Sequence, residues 1–434
     1  MVAVYCDKRT SRLEYALDTV FRDFLKCGYR LFTDSSEFLE AEIPGIAYSQ
    51  NNPGAALFIK ASPLLFENNI RKQQPEILEW KGRKVLFPVK HKEALLPFDP
   101  LACIFYHITR YEEYLPHHVK DIHGRFKAEN SILFRSGMLQ EPIVDILMLE
   151  IKNRVIEKFP AYRFPEQEYS FQPTYDIDMA FAHLGKGFLR SIGGFAKLFL
   201  KLQPREIRGQ VKTLLGLQKD PFDNFDLQKS LHFELGLKAV YFVNLGDYSR
   251  YDKNISHENR RLRSLLKETS EHAELGIHPS YYSDQDTNTL KTEIGRLEGI
   301  TGKAVSKSRQ HFLKLDFPET YRRLIDAGIS EDYSMGYASQ IGFRAGTSSP
   351  FYFYDLEKEE KTKLKVHPFA FMDTTFLDYL DVAPGVIPDL TKPLIEPARK
   401  LKIPLMAIWH NYALADDQDR FAAYEEILRE AEGE

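Results

Sequence analysis

Residues 174–178 read Thr174-Tyr175-Asp176-Ile177-Asp178, and they close a short strand-like run that begins at Gln172. Two carboxylates separated by one residue on a strand point to the same face. At the C-terminal end of a barrel strand, that face is the mouth where active sites lie. Such a pair can divide its labour, one carboxylate ligating a metal and the other taking a proton. Alone, the pattern Asp-x-Asp is a weak signal, because turns and cation-exposed surfaces carry it too.

The surrounding chain gives the pair company. Strand-like runs over 172–176, 238–244, 273–278, 304–308, 341–345, 364–369 and 403–409 alternate with helical ones. Alternation of this kind predicts parallel strands linked by helices, hence an α/β barrel or open sheet. Several of these runs end in chemistry. Glu274-Leu275-Gly276-Ile277-His278 breaks at Pro279, which leaves an imidazole at a strand end. Ser306-Lys307-Ser308-Arg309-Gln310-His311 places Arg309 and His311 two apart, and Trp409-His410-Asn411 ends another run. Each His by itself is more simply structural. Four strand ends bearing Asp/Asp, His, Arg/His and His are a far less probable accident. Oxygen and imidazole donors around one open position suit a hydrolytic divalent metal: zinc, or else cobalt or iron.

The order and spacing of these motifs resemble the polysaccharide deacetylase family, the NodB-homology domain of carbohydrate esterase family four. The resemblance covers roughly residues 166–434 by the usual size of a domain. It implies a distorted (β/α) barrel that removes acetyl groups from sugars with one divalent metal. Carried over by motif, Asp176 is the general base, Asp178 and His278 are metal ligands, Arg309 orients the base and His410 is the general acid. The family's second motif has another His four residues after the first, and here that position is Tyr282. His311 is the candidate replacement ligand, at a neighbouring strand end, with Asp284 behind it. Tyr282, Asp332 and Arg344 are the candidate substrate contacts at the mouth, although Arg344 equally suits an internal ion pair. His367 is a weaker candidate, and Asp373 is read as a helix cap. A bacterial branch of the family carries an uncharacterised α/β domain before the barrel, which residues 1–160 resemble.

The bulk properties agree with such a protein. A chain of 434 residues exceeds the size at which one hydrophobic core stops growing, about 250–300 residues, so two domains are expected. The first part reads as a smaller mixed α/β domain over 1–160. It has amphipathic helices over 10–27 and 142–159, a helix opening at Asp99-Pro100-Leu101, and strand-like runs at 55–59 and 85–89. Arg110-Tyr111-Glu112-Glu113 reads as a solvated helix face. The polar, Pro-containing stretch 164–168 marks the boundary.

Residues 186–219 hold eight Lys or Arg and one acid, Glu206, between apolar residues. They read as a basic helical insertion, either packed on the barrel with its basic side in water or meeting a membrane or a lipid-linked substrate. A net charge of −4 argues against a nucleic-acid partner. Three cysteines without zinc spacing, no secretory signal pattern and no long apolar run lead to the expectation of a cytoplasmic protein. Two functions compete: a metal-dependent deacetylase acting on a sugar or polysaccharide precursor, and a non-catalytic carbohydrate-binding or scaffold protein on the same barrel. Tyr282 is the best support for the second. A glycosidase ranks below both, because the His and Arg set does not demand two carboxylates across a scissile bond.

Overall fold

The computed structural model describes residues 1–116, 118–186, 204–415 and 417–433. Half of the basic stretch expected over 186–219, residues 187–203, therefore lies outside the described residues; its last part includes a helix, Pro204–Leu214. No helix among the described residues is long and apolar enough to cross a membrane.

The chain opens with four strands, β1 (Val2–Cys6), β2 (Tyr29–Phe32), β3 (Gly45–Ser49) and β4 (Leu57–Lys60). They form a parallel sheet in the order β2-β1-β3-β4. Val2, Ala3, Val4 and Cys6 are all buried, as expected of a central parallel strand covered on both faces. The helix expected at Asp99-Pro100 spans Pro100–Ile108: Asp99 accepts from the Ala102 N–H, and Pro100 fills the first turn, where no donor is missed. The expected helix over 142–159 is Ile143–Lys158. The one over 10–27 runs as α-helix for Ser11–Leu17 and continues as a wider π-turn over Asp18–Phe24. A hairpin, β5 (Ile77–Trp80) with β6 (Arg83–Leu86), lies between.

A second sheet holds nine strands. They are β7 (Ser170–Ile177), β8 (Val240–Val243), β9 (Glu274–Ile277), β10 (Lys307–Ser308), β11 (Glu331–Met335), β12 (Phe351–Asp355), β13 (Glu360–Pro368), β14 (Phe371–Met372) and β15 (Pro404–His410). Their order is β12-β13-β11-β10-β9-β8-β7-β15-β14, and every neighbouring pair except β12–β13 is parallel. In a flat sheet, β10 and β7 would lie roughly 14 Å apart, three strand spacings. Yet Arg309, just past β10, reaches Thr174 Oγ1 on β7 at 2.7 Å, and Tyr333 on β11 meets the Phe242 ring on β8 at 5.0 Å. The sheet is therefore strongly curled. Val240, Phe242, Leu313, Tyr333, Phe369, Met406 and Ile408 fill its inside. Gly276 permits the Phe242 ring to lie across β9, since a Cβ there would sit 2.6 Å from that ring.

The expected barrel is thus an open curl among the described residues, with β12 and β14 as unpaired edges. The expected strand over 341–345 is absent. Gly342 has φ +121°, and its neighbour Phe343 donates to Leu139 O in the first part of the chain. A Cβ on Gly342 would lie 2.4 Å from that carbonyl. The segment between β11 and β12 instead packs against the first part. The Val144 N–H bonds Gly346 O at 2.8 Å, and Asp145 accepts from the Ser348 N–H at 3.0 Å.

The same contact corrects the reading of residues 110–113. They are not a solvated face but the buried centre of this junction. Glu113 takes Nε and Nη2 of Arg344, and Arg110 Nε at 2.7 Å. Arg110 also bonds Glu112, Tyr337 and the Arg344 carbonyl. Burial pushes the Glu113 carboxyl up, but Arg344 and Arg110 outweigh it and hold it below its ordinary value. Removing one member strands the others in a low-dielectric interior. Glu113→Ala is expected to cost about 3–5 kcal/mol of stability, read as a lower midpoint in thermal or denaturant unfolding of the whole chain.

Candidate active site

β7 delivers Asp176 at its end and Asp178 one step beyond, on one face, as strand alternation requires. Asp176 is fully buried. Its Oδ1 accepts from Arg309 Nη1 at 2.8 Å. Arg309 is itself buried, with Nε on Tyr333 O at 2.9 Å and its guanidinium 4.4 Å from the Phe242 ring. This leaves Asp176 Oδ2 facing two imidazoles: His278 Nε2 at 3.9 Å and His410 Nε2 at 3.8 Å.

Three side chains converge beside it. Asp178 Oδ1 lies 3.1 Å from His278 Nε2 and 3.5 Å from His311 Nε2. Donor atoms of the three all fall within 4.8 Å of one another. Ligands about 2.0–2.1 Å from a tetrahedral zinc lie about 3.3 Å apart, so the two distances bracket that spacing. Asp178 Oδ1 is buried and, although 3.1 Å from His278 Nε2, makes no well-aligned hydrogen bond. Burial pushes the Asp178 carboxyl up, yet His311, His278 and His410 hold it far below the carboxylate range. The two imidazoles are aimed from behind. His278 Nδ1 bonds Arg309 O at 2.6 Å, and His311 Nδ1 bonds Asp252 Oδ1 at 3.0 Å. Partners of this kind fix the tautomer that presents Nε2. The donor set of one carboxylate and two imidazoles with an open fourth position fits a catalytic divalent metal.

His410 ends β15. Its Nδ1 meets Asp373 Oδ1 at 2.8 Å, and its N–H donates to Asp373 Oδ2 at 2.6 Å. Burial lowers the His410 pKa, but Asp373, then Asp178 and Asp176, reverse this and raise it to about 9. These carboxylates favour the protonated imidazole. Asp373 is thus the carboxylate that orients His410, as well as a local acceptor for the Thr374 N–H.

His311 sits in an unusual turn. Phe312 has φ +58° and Leu313 φ +53°, two successive left-handed residues without glycine, each costing about 1–2 kcal/mol. A cavity of about 120 Å³ opens over the cluster, lined by Asp176, Asp178, His278, His311, Tyr412 and His410 together with Arg125 and Tyr379. It shares Arg125, Leu313, Ala338 and Tyr379 with a neighbouring cleft of about 500 Å³ walled by residues 120–129.

Asp176, Asp178, His278, Arg309, His311 and His410 are brought together by the fold; the other candidates are not. Asp332 is wholly buried, bonded to Ser334 N at 2.9 Å and Ser334 Oγ at 2.8 Å, and offers no surface to a substrate. Arg344 is 2% exposed and occupied by Glu113, so the internal ion pair is the alternative that holds. Tyr282 is half exposed in a cluster with Tyr251 and Tyr281, and does not line the cavity over the donor set. Asp284 pairs with Lys314 at 2.8 Å. His367 lines a separate cavity with the starts of β7 and β15, its Nε2 2.9 Å from Glu331 Oε2. Sequence reasoning missed Asp252 and Arg125. Asp252 lies in the loop after β8 with no local motif to mark it, and it is also held by Ser249 Oγ and the Tyr281 N–H.

A family model described as a family of unknown function (DUF7033) matches residues 2–160. A search of curated proteins finds no match. Among solved structures the chain is similar to one described as a putative polysaccharide deacetylase from Mycobacterium smegmatis. That pair shares 13% identity over 63% of this chain and 87% of the other, with a TM-score of 0.42. It is also similar to a mutant of a CE4 family pseudoenzyme with restored enzymatic activity, at 9% identity over 61% of this chain and 62% of the other, with a TM-score of 0.27.

The geometry makes a direct prediction. The purified chain is expected to take up one divalent metal, zinc or cobalt, per molecule. His311→Ala and His278→Ala should each weaken that binding at least tenfold, and Asp284→Ala should not. Competition against a chromophoric chelator reads all three.

Proposed function

We propose that this chain is a metal-dependent hydrolase that removes acetyl groups from a sugar or polysaccharide precursor. The observation that carries the reading is the convergence of Asp178, His278 and His311 on one open position, flanked by the Asp176–Arg309 and His410–Asp373 pairs. The likeness of the strand-end motifs to the polysaccharide deacetylase family supplies the substrate class.

A divalent cation held by Asp178, His278 and His311 would supply Lewis acidity and bring the pKa of water towards about 7. The protein's own groups divide the proton transfers. Arg309 engages Asp176 Oδ1, so Oδ2 is the atom free to take a proton from the attacking water. His410, protonated and oriented through Nδ1 by Asp373, presents Nε2 to the departing amine or alcohol. Both groups border the same small cavity, so one acetyl carbon can lie within reach of each.

Tyr282 supports a second reading, a carbohydrate-binding protein without catalysis, because it stands where the resembled family has a ligand. His311 answers that objection with a donor from the next strand. Asp176→Asn is expected to lower acetate release from N-acetylglucosamine oligomers by about 10²–10⁴-fold, with metal content unchanged. Full activity in that variant would sink the role of Asp176. A wild-type chain that binds the sugar, holds no metal and releases no acetate would favour the binding protein.

A further inference from the structure

The segment Lys120–Phe126 belongs to the first part of the chain, the part matched to a family of unknown function. It reaches across to the turn that carries His311. Arg125 is buried, and its Nη1 donates to Phe312 O at 2.8 Å while Nη2 donates to Tyr379 Oη at 3.1 Å. The His123 ring packs on the Phe312 ring with centroids 4.7 Å apart, and its Nδ1 meets Tyr281 Oη at 3.1 Å.

The segment is itself held rigid. Asp121 Oδ1 accepts from the His123 and Arg125 N–H groups, and Asp121 Oδ2 takes Arg125 Nε at 2.6 Å. The Asp121 N–H bonds Arg125 O, and Gly124 supplies the left-handed residue with φ +78° that closes the loop. At the other end of the contact, the turn at Phe312 and Leu313 is in a conformation that non-glycine residues adopt only when something outside holds it. Within the turn, Leu313 N–H to Gln310 O at 2.8 Å is one local bond.

We propose that residues 121–125 are the positioning element of the candidate metal centre: Arg125, braced by Asp121, holds the strained turn that presents His311 Nε2 to Asp178 and His278. The first part of the chain thereby acquires a role: it completes the site of the second. Arg125 acts through the turn and is a positioning residue. This inference rests on the metal-site reading above.

The test uses the whole chain and cobalt(II) as the probe. Arg125→Met keeps the packing of the stem and removes every donor. It is expected to weaken cobalt binding by about 10–100-fold, the usual loss when a group that orients a ligand is removed, and to alter the visible absorption of the bound cobalt. Arg125→Lys, which keeps one donor for Phe312 O, is expected to recover part of both. A folded Arg125→Met chain with wild-type cobalt affinity and spectrum overturns the proposal. Should that variant fail to fold, Asp121→Asn, which frees Arg125 from its brace, is read in the same way, and unchanged affinity and spectrum again overturn it. A wild-type chain that binds no cobalt overturns the metal-site reading together with this one. Bound cobalt indifferent to Arg125 overturns this one alone.

Discussion

A guanidinium with no access to water sits at the centre of the curled sheet. Isolating the Arg309 charge there would cost several kcal/mol, so the fold must answer its donors. It does so chiefly from two strands, with Asp176 and Thr174 on β7 and the Tyr333 carbonyl on β11, while Phe242 of β8 lies under the guanidinium plane. Those partners can meet only if the sheet curls, and the curl needs the ring of Phe242 to cross β9 at Gly276. The charge therefore couples the shape of the sheet to the state of Asp176. One carboxylate oxygen is fixed by Arg309, and the other is turned to the imidazoles. Conformational precision and chemical readiness come from the same contact.

A second buried charge cluster joins the curled sheet's half of the chain to the first part. Arg110, Glu112, Glu113 and Arg344 tie the helix Pro100–Ile108 and the short turn Tyr111–Tyr114 to the segment between β11 and β12. A closed barrel would satisfy that region by strand pairing. Here Gly342 and its neighbours take backbone partners from Leu139 and Ala370 instead. Buried ion clusters add little net stability over apolar packing, but they are intolerant of misplacement. At this junction one member of the cluster, Arg344, also lines the neighbouring cleft walled by residues 120–129.

What could be read from the sequence depends on range. Strand ends bearing Asp176, His278, Arg309 and His410 are local patterns, and parallel pairing sends such ends to one edge by construction. Six of the nine strands of the curled sheet were legible for the same reason; β11, β12 and β14 fall outside the strand-like runs expected from the sequence. The strand expected over 341–345 failed because its apolar residues are buried by a distant element, not by a sheet; periodicity cannot tell these apart. Arg110–Glu113 looked like a solvated face because charge density reports exposure only when partners are absent, and those partners are more than two hundred residues away. Asp252 and Arg125 carry no local mark at all. Their roles exist only in contacts at separations of 59 and 187 residues.

Tyr282 makes the same point about ligands. In the resembled family both imidazoles come from one motif, where spacing along the chain sets their separation. Here β9 and β10 are neighbouring parallel strands, with Ser308 opposite Ile277. Adjacent strands lie about 4.8 Å apart, close to the 4.9 Å between the ring centroids of His278 and His311. A donor just past the end of β10 can therefore stand where a second donor after β9 would have stood. The exchange has a geometric condition: the chain beyond β10 must turn back sharply enough to aim Nε2 at Asp178. Phe312 and Leu313 meet that condition at the expense of two left-handed residues. A ligand supplied by its own motif needs no outside brace. A ligand supplied by a strained turn does, so on the proposed metal-site reading Tyr282, standing where the resembled family has a His, and Arg125 over the turn belong to one physical account.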